Sequence, residues 1–155
     1  MKEFYCKTKI LCGSGAVSML KDLQAGRLFL ISDPFFQQNG TADRLAALSG
    51  AEAVEVFSDI VPDPSVTLAA AGTAKLKAFD PDLVVALGGG SAMDVAKCIK
   101  LYAKMADDTC YLDQPYVDTG IPLIALPTTA GTGSEVTKVS VITTPDGRKK
   151  SFRFR

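Results

Sequence analysis

Residues 83–97 read LVVALGGGSAMDVAK, and this stretch decides the fold. Its first five residues form a continuous apolar run, which is typical of a parallel strand buried on both faces. Three glycines follow the run, and a helical pattern of apolar residues begins behind them. The apolar positions of that pattern are Ala92, Val95, Ala96, Ile99 and Ala103, with Lys97, Lys100 and Lys104 outside this face. The order of strand, glycine turn and helix predicts one unit of a parallel sheet covered by helices.

The same alternation continues on both sides of this stretch. Further strands are predicted at 28–31, 53–57 and 121–126, and helices at 16–24, 41–48 and 66–76. Gly26 and Gly50 are predicted to end the first two helices, and Ser65 to cap the third. The length of 155 residues fits one domain. We therefore predict a doubly wound α/β domain over residues 1–155, with a mostly parallel Rossmann-like sheet and helices on both faces.

The composition excludes several classes of function. The chain has no histidine, which excludes Ser-His-Asp and Cys-His nucleophiles and any histidine-ligated metal. Its 17 basic and 17 acidic side chains cancel, so net charge gives no indication of a nucleic-acid or membrane surface. The four cysteines contain no Cys-x-x-Cys pair, which favours reduced structural thiols. With no signal peptide and no apolar run long enough to span a bilayer, we expect a cytoplasmic protein.

Two glycine clusters are candidates for binding phosphate. Gly88, Gly89 and Gly90 leave backbone N–H groups unobstructed in front of a helix N-terminus, which favours an anion. Ser91 and Asp94 are predicted to cap that helix. The alternative is a tight turn, which needs fewer than three glycines. The second cluster, Gly13-Ser14-Gly15, follows a candidate strand at 8–12 and has Asp33 twenty residues after Gly13, which imitates a dinucleotide fingerprint.

A third segment, residues 127–135, reads PTTAGTGSE and leaves the strand predicted at 121–126. Its hydroxyls and free amides suit the phosphate, ribose and amide groups of a dinucleotide. The alternative is an ordinary polar loop that ends in an N-cap at Ser134.

Residues 87–97, LGGGSAMDVAK, and 124–137, IALPTTAGTGSEVT, together resemble the iron-containing alcohol dehydrogenase family. The resemblance extends over nearly all of the chain and corresponds to the family's N-terminal, dinucleotide-binding half. It implies the following cofactor contacts: Asp33, Asp63, Gly88, Gly89, Gly90, Ser91, Asp94, Thr128, Thr129, Thr132 and Lys150.

The implied roles differ among these residues. By resemblance, the three glycines and Ser91 hold the pyrophosphate, with Asp94 at the same helix start, and the three threonines line the cofactor toward its phosphates and nicotinamide. Asp33 matches the acid that binds the adenosine ribose, and because a carboxylate repels a 2′-phosphate, NAD is favoured over NADP. Asp63 stands where many members have Asn. Lys150 falls near a family lysine between cofactor and substrate, although it neighbours Lys149 and the alternative is one more charge on a basic tail. Gly13-Ser14-Gly15 becomes a turn under this resemblance.

The resemblance also implies an activity: reversible hydride transfer between an alcohol or aldehyde and NAD, assisted by a divalent metal, iron by family. The family's metal ligands belong to a second, helical domain that we expect to be absent from this chain, so no catalytic or metal-binding residue is assigned and the chain alone is expected to be inactive. A homodimer is implied in the same way. Two alternatives stay open: a stand-alone nucleotide-binding module or non-catalytic remnant, and a relative of glycerol dehydrogenase or dehydroquinate synthase, against which the 127–135 motif weighs.

Overall fold

The computed structural model describes residues 6–107 and 110–153. Their strands are β1 (Arg27–Ser32), β2 (Ala53–Phe57), β3 (Leu83–Gly88), β4 (Leu123–Pro127), β5 (Val139–Thr143) and β6 (Lys149–Arg153). Their α-helices are α1 (Pro34–Gln38), α2 (Thr41–Ser49), α3 (Val66–Phe79) and α4 (Gly90–Tyr102), with short 3₁₀ helices at Ala16–Leu23, Tyr111–Asp113 and Ser134–Val136. Among these residues, no helix has the length and apolar character that crossing a membrane requires.

The first four strands form one parallel sheet in the order β2-β1-β3-β4. The chain moves from β1 outward to β2 and then crosses back over β1 to reach β3. The direction of winding therefore reverses between β1 and β3, and in open parallel sheets ligands bind outside the carboxyl ends of the strands at such a point. The predicted doubly wound α/β fold with a parallel sheet is confirmed.

Helices cover the sheet on both faces, as predicted. Phe29, Ile31, Val84 and Ala86 pack on one face with residues of α3 and α4. The alternate residues of the same strands, with Leu28 and Leu30 among them, pack on the other face with α2 and the first 3₁₀ helix. Every residue of β3 is buried. The run of residues 83–87 is continuously apolar because both faces of the strand are covered. In a strand with one solvent-exposed face, apolar and polar residues alternate.

Two local predictions are wrong. Residues 8–12 form no strand. Gly13 is part of a turn, in which the amide of Ala16 donates to its carbonyl at 3.1 Å, as the family resemblance implies. Gly26 does not end the first 3₁₀ helix, because Gln24 adopts the left-handed conformation there with φ of 49°. The amide of Gly26 instead donates to the carboxylate of Asp82 at 2.9 Å.

Ser65 caps α3, as its sequence position predicts. Its side-chain oxygen accepts from the amide of Leu68 at 3.1 Å and so satisfies one of the free donors at the helix start. We expect Ser65→Ala to lower the free energy of unfolding by about 1 kcal/mol. Urea denaturation measures this change, with Ser18→Ala, at an exposed serine, as the control. Equal stability of the two variants would contradict the capping role.

The antiparallel hairpin of β5 and β6 lies outside the main sheet. It is fixed to the turn before α3, where the amide of Thr143 donates to the carbonyl of Pro64 at 2.8 Å. Phe152 and Ile142 point inward and are buried, whereas Lys149, Ser151 and Arg153 are exposed. Residues 151–153 alternate between exposed and buried, as a half-covered strand does, and residues 154–155 lie outside the described part of the chain.

Candidate functional site

The glycine loop, residues 88–90, joins β3 to α4 and has no room for larger residues at its start. Gly88 has φ of +153°, a conformation that side chains rarely allow. A Cβ atom on Gly88 would lie 2.3 Å from Oδ2 of Asp33 and 2.7 Å from Cβ of Ala92. The backbone therefore passes between two neighbours at a distance that only glycine permits.

Asp33 lies beside this loop, at the carboxyl end of β1. Its Oδ2 accepts a hydrogen bond from the amide of Gly89 at 3.0 Å, and its own amide donates to the carbonyl of Leu87 at 3.1 Å. These two bonds join the ends of β1 and β3 across the point where the winding reverses. One predicted ribose ligand and the predicted pyrophosphate loop therefore lie together in the crevice where the fold places ligands.

The threonine loop, residues 128–133, leaves β4 and lies on the other side of the glycine loop. The amide of Thr128 donates to the carbonyl of Gly88 at 3.0 Å. Oγ1 of Thr129 would be 3.1 Å from a Cβ on Gly89, and Cγ2 of Thr132 would be 3.6 Å from a Cβ on Gly90. All three threonines are exposed. The two loops meet because β3 and β4 are neighbours in the sheet, which the sequence did not specify.

Asp94 is oriented differently from what the sequence predicts. The cap of α4 is Gly89 and no side chain caps the helix, so the predicted capping by Ser91 and Asp94 is wrong. The reason is register: the helix begins at Gly90, which puts Asp94 in its second turn. Oδ1 of Asp94 accepts from the hydroxyl of Ser134 at 2.6 Å and Oδ2 from the amide of Val141 at 3.0 Å. Asp94 therefore ties α4 to the segment that follows the threonine loop.

Lys97 is a functional candidate that the sequence analysis missed. The helical pattern predicts a solvated lysine, yet its side chain is only 10% exposed and lies 3.5 Å from Asp94. Its ammonium donates to the hydroxyl of Ser134 at 2.8 Å and to the carbonyl of Val139 at 2.7 Å. Burial lowers the pKa of Lys97, and the charge of Asp94 opposes that shift. The Asp-x-x-Lys spacing, which puts both side chains on one helix face, is the signal that could have identified it.

Asp63 and Lys150 lie on the hairpin side of the domain. Asp63 is exposed, has φ of 51°, and its carboxylate forms an ion pair with the ammonium of Lys149 at 2.6 Å. The ammonium of Lys150 instead lies 5.3 Å from the centroid of the Phe152 ring. Of the two adjacent lysines, Lys149 is therefore the one that contacts another predicted site residue.

The described residues offer no metal centre: nowhere in 6–107 and 110–153 do three His, Cys, Asp or Glu side chains group to hold a metal ion. A groove of about 1080 Å³ does exist, along the outer edge of β4. Pro127, Lys97 and Ser134 are part of its lining, together with apolar side chains from β4 and the first 3₁₀ helix. Residues of the glycine loop are not among the lining, although Pro127 pairs with Gly88 in the sheet.

The geometry of the two loops fits a dinucleotide. A pyrophosphate needs backbone N–H groups that side chains do not cover, and the first amides of α4, those of Gly90 and Ser91, provide them at the N-terminus of a helix of 13 residues. The amide of Gly89 is bonded to Asp33 instead. The helix dipole favours the negative charge at the same point. Exposed hydroxyls of the threonine loop face this cradle from one side, and the carboxylate of Asp33 borders it from the other.

Known proteins resemble this chain along most of its length. A sequence model of the family described as iron-containing alcohol dehydrogenase matches residues 7–155. The chain is 35% identical over 150 residues to 1-propanol dehydrogenase PduQ of Citrobacter freundii, covering 94% of this chain and 37% of that protein. It is 37% identical over 150 residues to the probable alcohol dehydrogenase EutG of Escherichia coli, covering 92% and 38%.

Among solved structures, sulfoacetaldehyde reductase from Bifidobacterium kashiwanohense in complex with NAD+ superposes with a TM-score of 0.87 and 34% identity, covering 99% of this chain and 43% of that one. The chain thus spans well under half the length of the relatives it matches.

Proposed function

This chain belongs to the iron-containing alcohol dehydrogenase family, and on that basis we propose that it is the dinucleotide-binding part of an NAD-dependent alcohol dehydrogenase. The observation that carries the proposal is the meeting of the glycine loop, the threonine loop and Asp33 at the carboxyl ends of three neighbouring strands. The substrate class follows from the family: a small alcohol or its aldehyde. A homodimer and a cytoplasmic location are parts of the proposal that rest on the resemblance alone.

Each loop has a defined task in this proposal. The amides of Gly90 and Ser91 and the hydroxyl of Ser91 bind the pyrophosphate, while Gly88 and Gly89 shape the backbone in front of the helix beside Asp33. Thr128, Thr129 and Thr132 orient the part of the cofactor beyond the pyrophosphate, and Asp33 binds the adenosine ribose. NAD, when bound, supplies the hydride acceptor of alcohol oxidation. The residues of this chain bind and orient it.

The remaining predicted cofactor contacts, Asp94, Asp63 and Lys150, do not bind the pyrophosphate in this proposal. Asp94 acts through Ser134, because both of its carboxylate oxygens are already bonded within the protein. Asp63 and Lys150 are included by resemblance to the family, and their contacts in the structure are with residues of the hairpin. We assign no metal ligand to this chain, since it has no histidine and its described residues form no metal-binding group. Its own part in the reaction is therefore cofactor binding.

A variant of Gly89 tests the proposal. Gly89 is the N-cap of α4, a position that Asp and Asn both favour, so either residue keeps the helix start. A Cβ there meets only the side chain of Thr129, with Oγ1 at 3.1 Å and Cβ at 3.7 Å, which requires a small adjustment. We expect Gly89→Asp to weaken NADH binding at least about tenfold, because a carboxylate then repels the pyrophosphate. Isothermal titration calorimetry measures the affinity.

Gly89→Asn is the matched control, since it has the same size and no charge. NADH affinity should be much closer to wild type in Gly89→Asn than in Gly89→Asp. Absence of NADH binding by the wild-type chain, or equal binding by all three proteins, would instead support a remnant or a module with another ligand.

A further inference from the structure

A buried polar cluster fastens the segment after the threonine loop to α4. We call Asp94, Lys97 and Ser134 the α4 clamp. The hydroxyl of Ser134 accepts from the ammonium of Lys97 at 2.8 Å and donates to Asp94 at 2.6 Å. The same two side chains of α4 bind the backbone of β5, Lys97 at the carbonyl of Val139 and Asp94 at the amide of Val141. Ser134 is buried, and the side chains of Asp94 and Lys97 are 15% and 10% exposed.

The clamp lies at one end of the threonine loop. The loop begins at Thr128, whose amide is bonded to Gly88, and Ser134 of the clamp directly follows its last residue. Between these points Gly131 and Gly133 have φ of +87° and +64° and no neighbour near a Cβ position. Packing inside the loop therefore constrains it little, and its position depends on its two ends.

We propose that Lys97 is a positioning residue for the nicotinamide-side half of the cofactor site. Its ammonium holds Ser134 and β5 against α4, and this keeps Thr129 and Thr132 beside the glycine loop. The inference rests on the proposed function, because it assumes that the two loops share one dinucleotide. It adds a role for a side chain that does not reach the cofactor.

The arrangement requires a cation at this position. Without the ammonium, the mostly buried carboxylate of Asp94 has no cation beside it and the carbonyl of Val139 loses its donor. The amide of Val141 and the hydroxyl of Ser134 still bond to Asp94, so the segment keeps part of its attachment. We therefore expect a loosened threonine loop on an intact domain.

Binding of two probes tests this role in the 155-residue chain. NADH engages both loops, whereas ADP lacks the nicotinamide riboside. The ribose and phosphates that ADP keeps are the groups assigned to Asp33 and the glycine loop. We expect Lys97→Met, which keeps the aliphatic stem, to weaken NADH binding about tenfold and ADP binding less than about threefold. Calorimetry measures both affinities, and thermal unfolding confirms that the variant is folded at the temperature used.

Lys100→Met is the matched control. Lys100 lies on the same helix, and its ion pair, with Asp118 at 3.3 Å, involves a partner that is 82% exposed. Lys100→Met removes the same charge as Lys97→Met but leaves the α4 clamp intact, so both probes should bind this variant as they bind the wild type. A general loss of positive charge would weaken ADP at least as much as NADH, since ADP is the more negative ligand.

The outcomes separate the inference from the function on which it rests. Equal weakening of NADH and ADP by Lys97→Met, or no weakening of either, overturns the positioning role while the proposed function stands. Failure of the wild-type chain to bind both probes overturns the proposed function itself.

Discussion

Gly88→Ala is expected to lower the free energy of unfolding by about 3 kcal/mol and to abolish measurable NADH binding. Two costs add at this position. The φ of +153° is strained for any residue with a side chain, and the new methyl group would lie 2.3 Å from Oδ2 of Asp33 and 2.7 Å from Cβ of Ala92. Relief requires the carboxylate of Asp33 to rotate away and α4, which carries Ala92, to shift. That movement separates Asp33 from the amide of Gly89.

Gly50→Ala is the control, because it has the backbone strain without the steric clash. Gly50 also has a positive φ, +68°, but no atom lies within 4 Å of its Cβ position. This control should lose about 1 kcal/mol from backbone strain and keep its affinity for NADH. Urea denaturation and calorimetry measure the pair of effects. If Gly88→Ala lost no more stability than Gly50→Ala, the close approach at the glycine loop would be disproved.

The parts of the fold that the sequence predicted are those that local patterns determine. The apolar run of β3 is continuous because both sheet faces are covered, and β2 was predicted with its bounds because its composition is that of a strand. Ser65 was predicted as a cap because the Pro-rich turn before it leaves few other conformations. In each case the cause lies within about ten residues of the chain.

The errors have their causes elsewhere in the chain. Lys97 has the helical position of a solvated residue, but β5 and Ser134 cover it, and contacts of more than thirty residues' separation are not visible in helical spacing. Asp94 was predicted to cap α4 on the same local grounds, although its partners are Ser134 and Val141. The glycine loop could be recognised because phosphate binding needs a local backbone shape. The clamp could not, because it depends on tertiary packing.

Asp33→Asn is expected to shift the ratio of NADH to NADPH affinity about 100-fold toward NADPH. The carboxylate is fixed by its bond from the amide of Gly89 at 3.0 Å, so its charge has a constant position in the crevice. A 2′-phosphate about 5 Å from this charge is repelled by about 3 kcal/mol at an effective dielectric constant of about 20. The amide of asparagine can still accept from Gly89, so the loop keeps its shape while the repulsion is lost.

Asp82→Asn distinguishes this charge effect from a structural one. Asp82 also accepts from backbone amides, those of Gly26 and Arg27, but at the opposite end of β1. Both variants lose one carboxylate that binds the backbone at an end of the same strand, so their changes in stability should be similar. Only Asp33→Asn should alter the ratio of the two affinities, measured by calorimetry with NADH and NADPH. An unchanged ratio would mean that the adenosine ribose does not lie against Asp33.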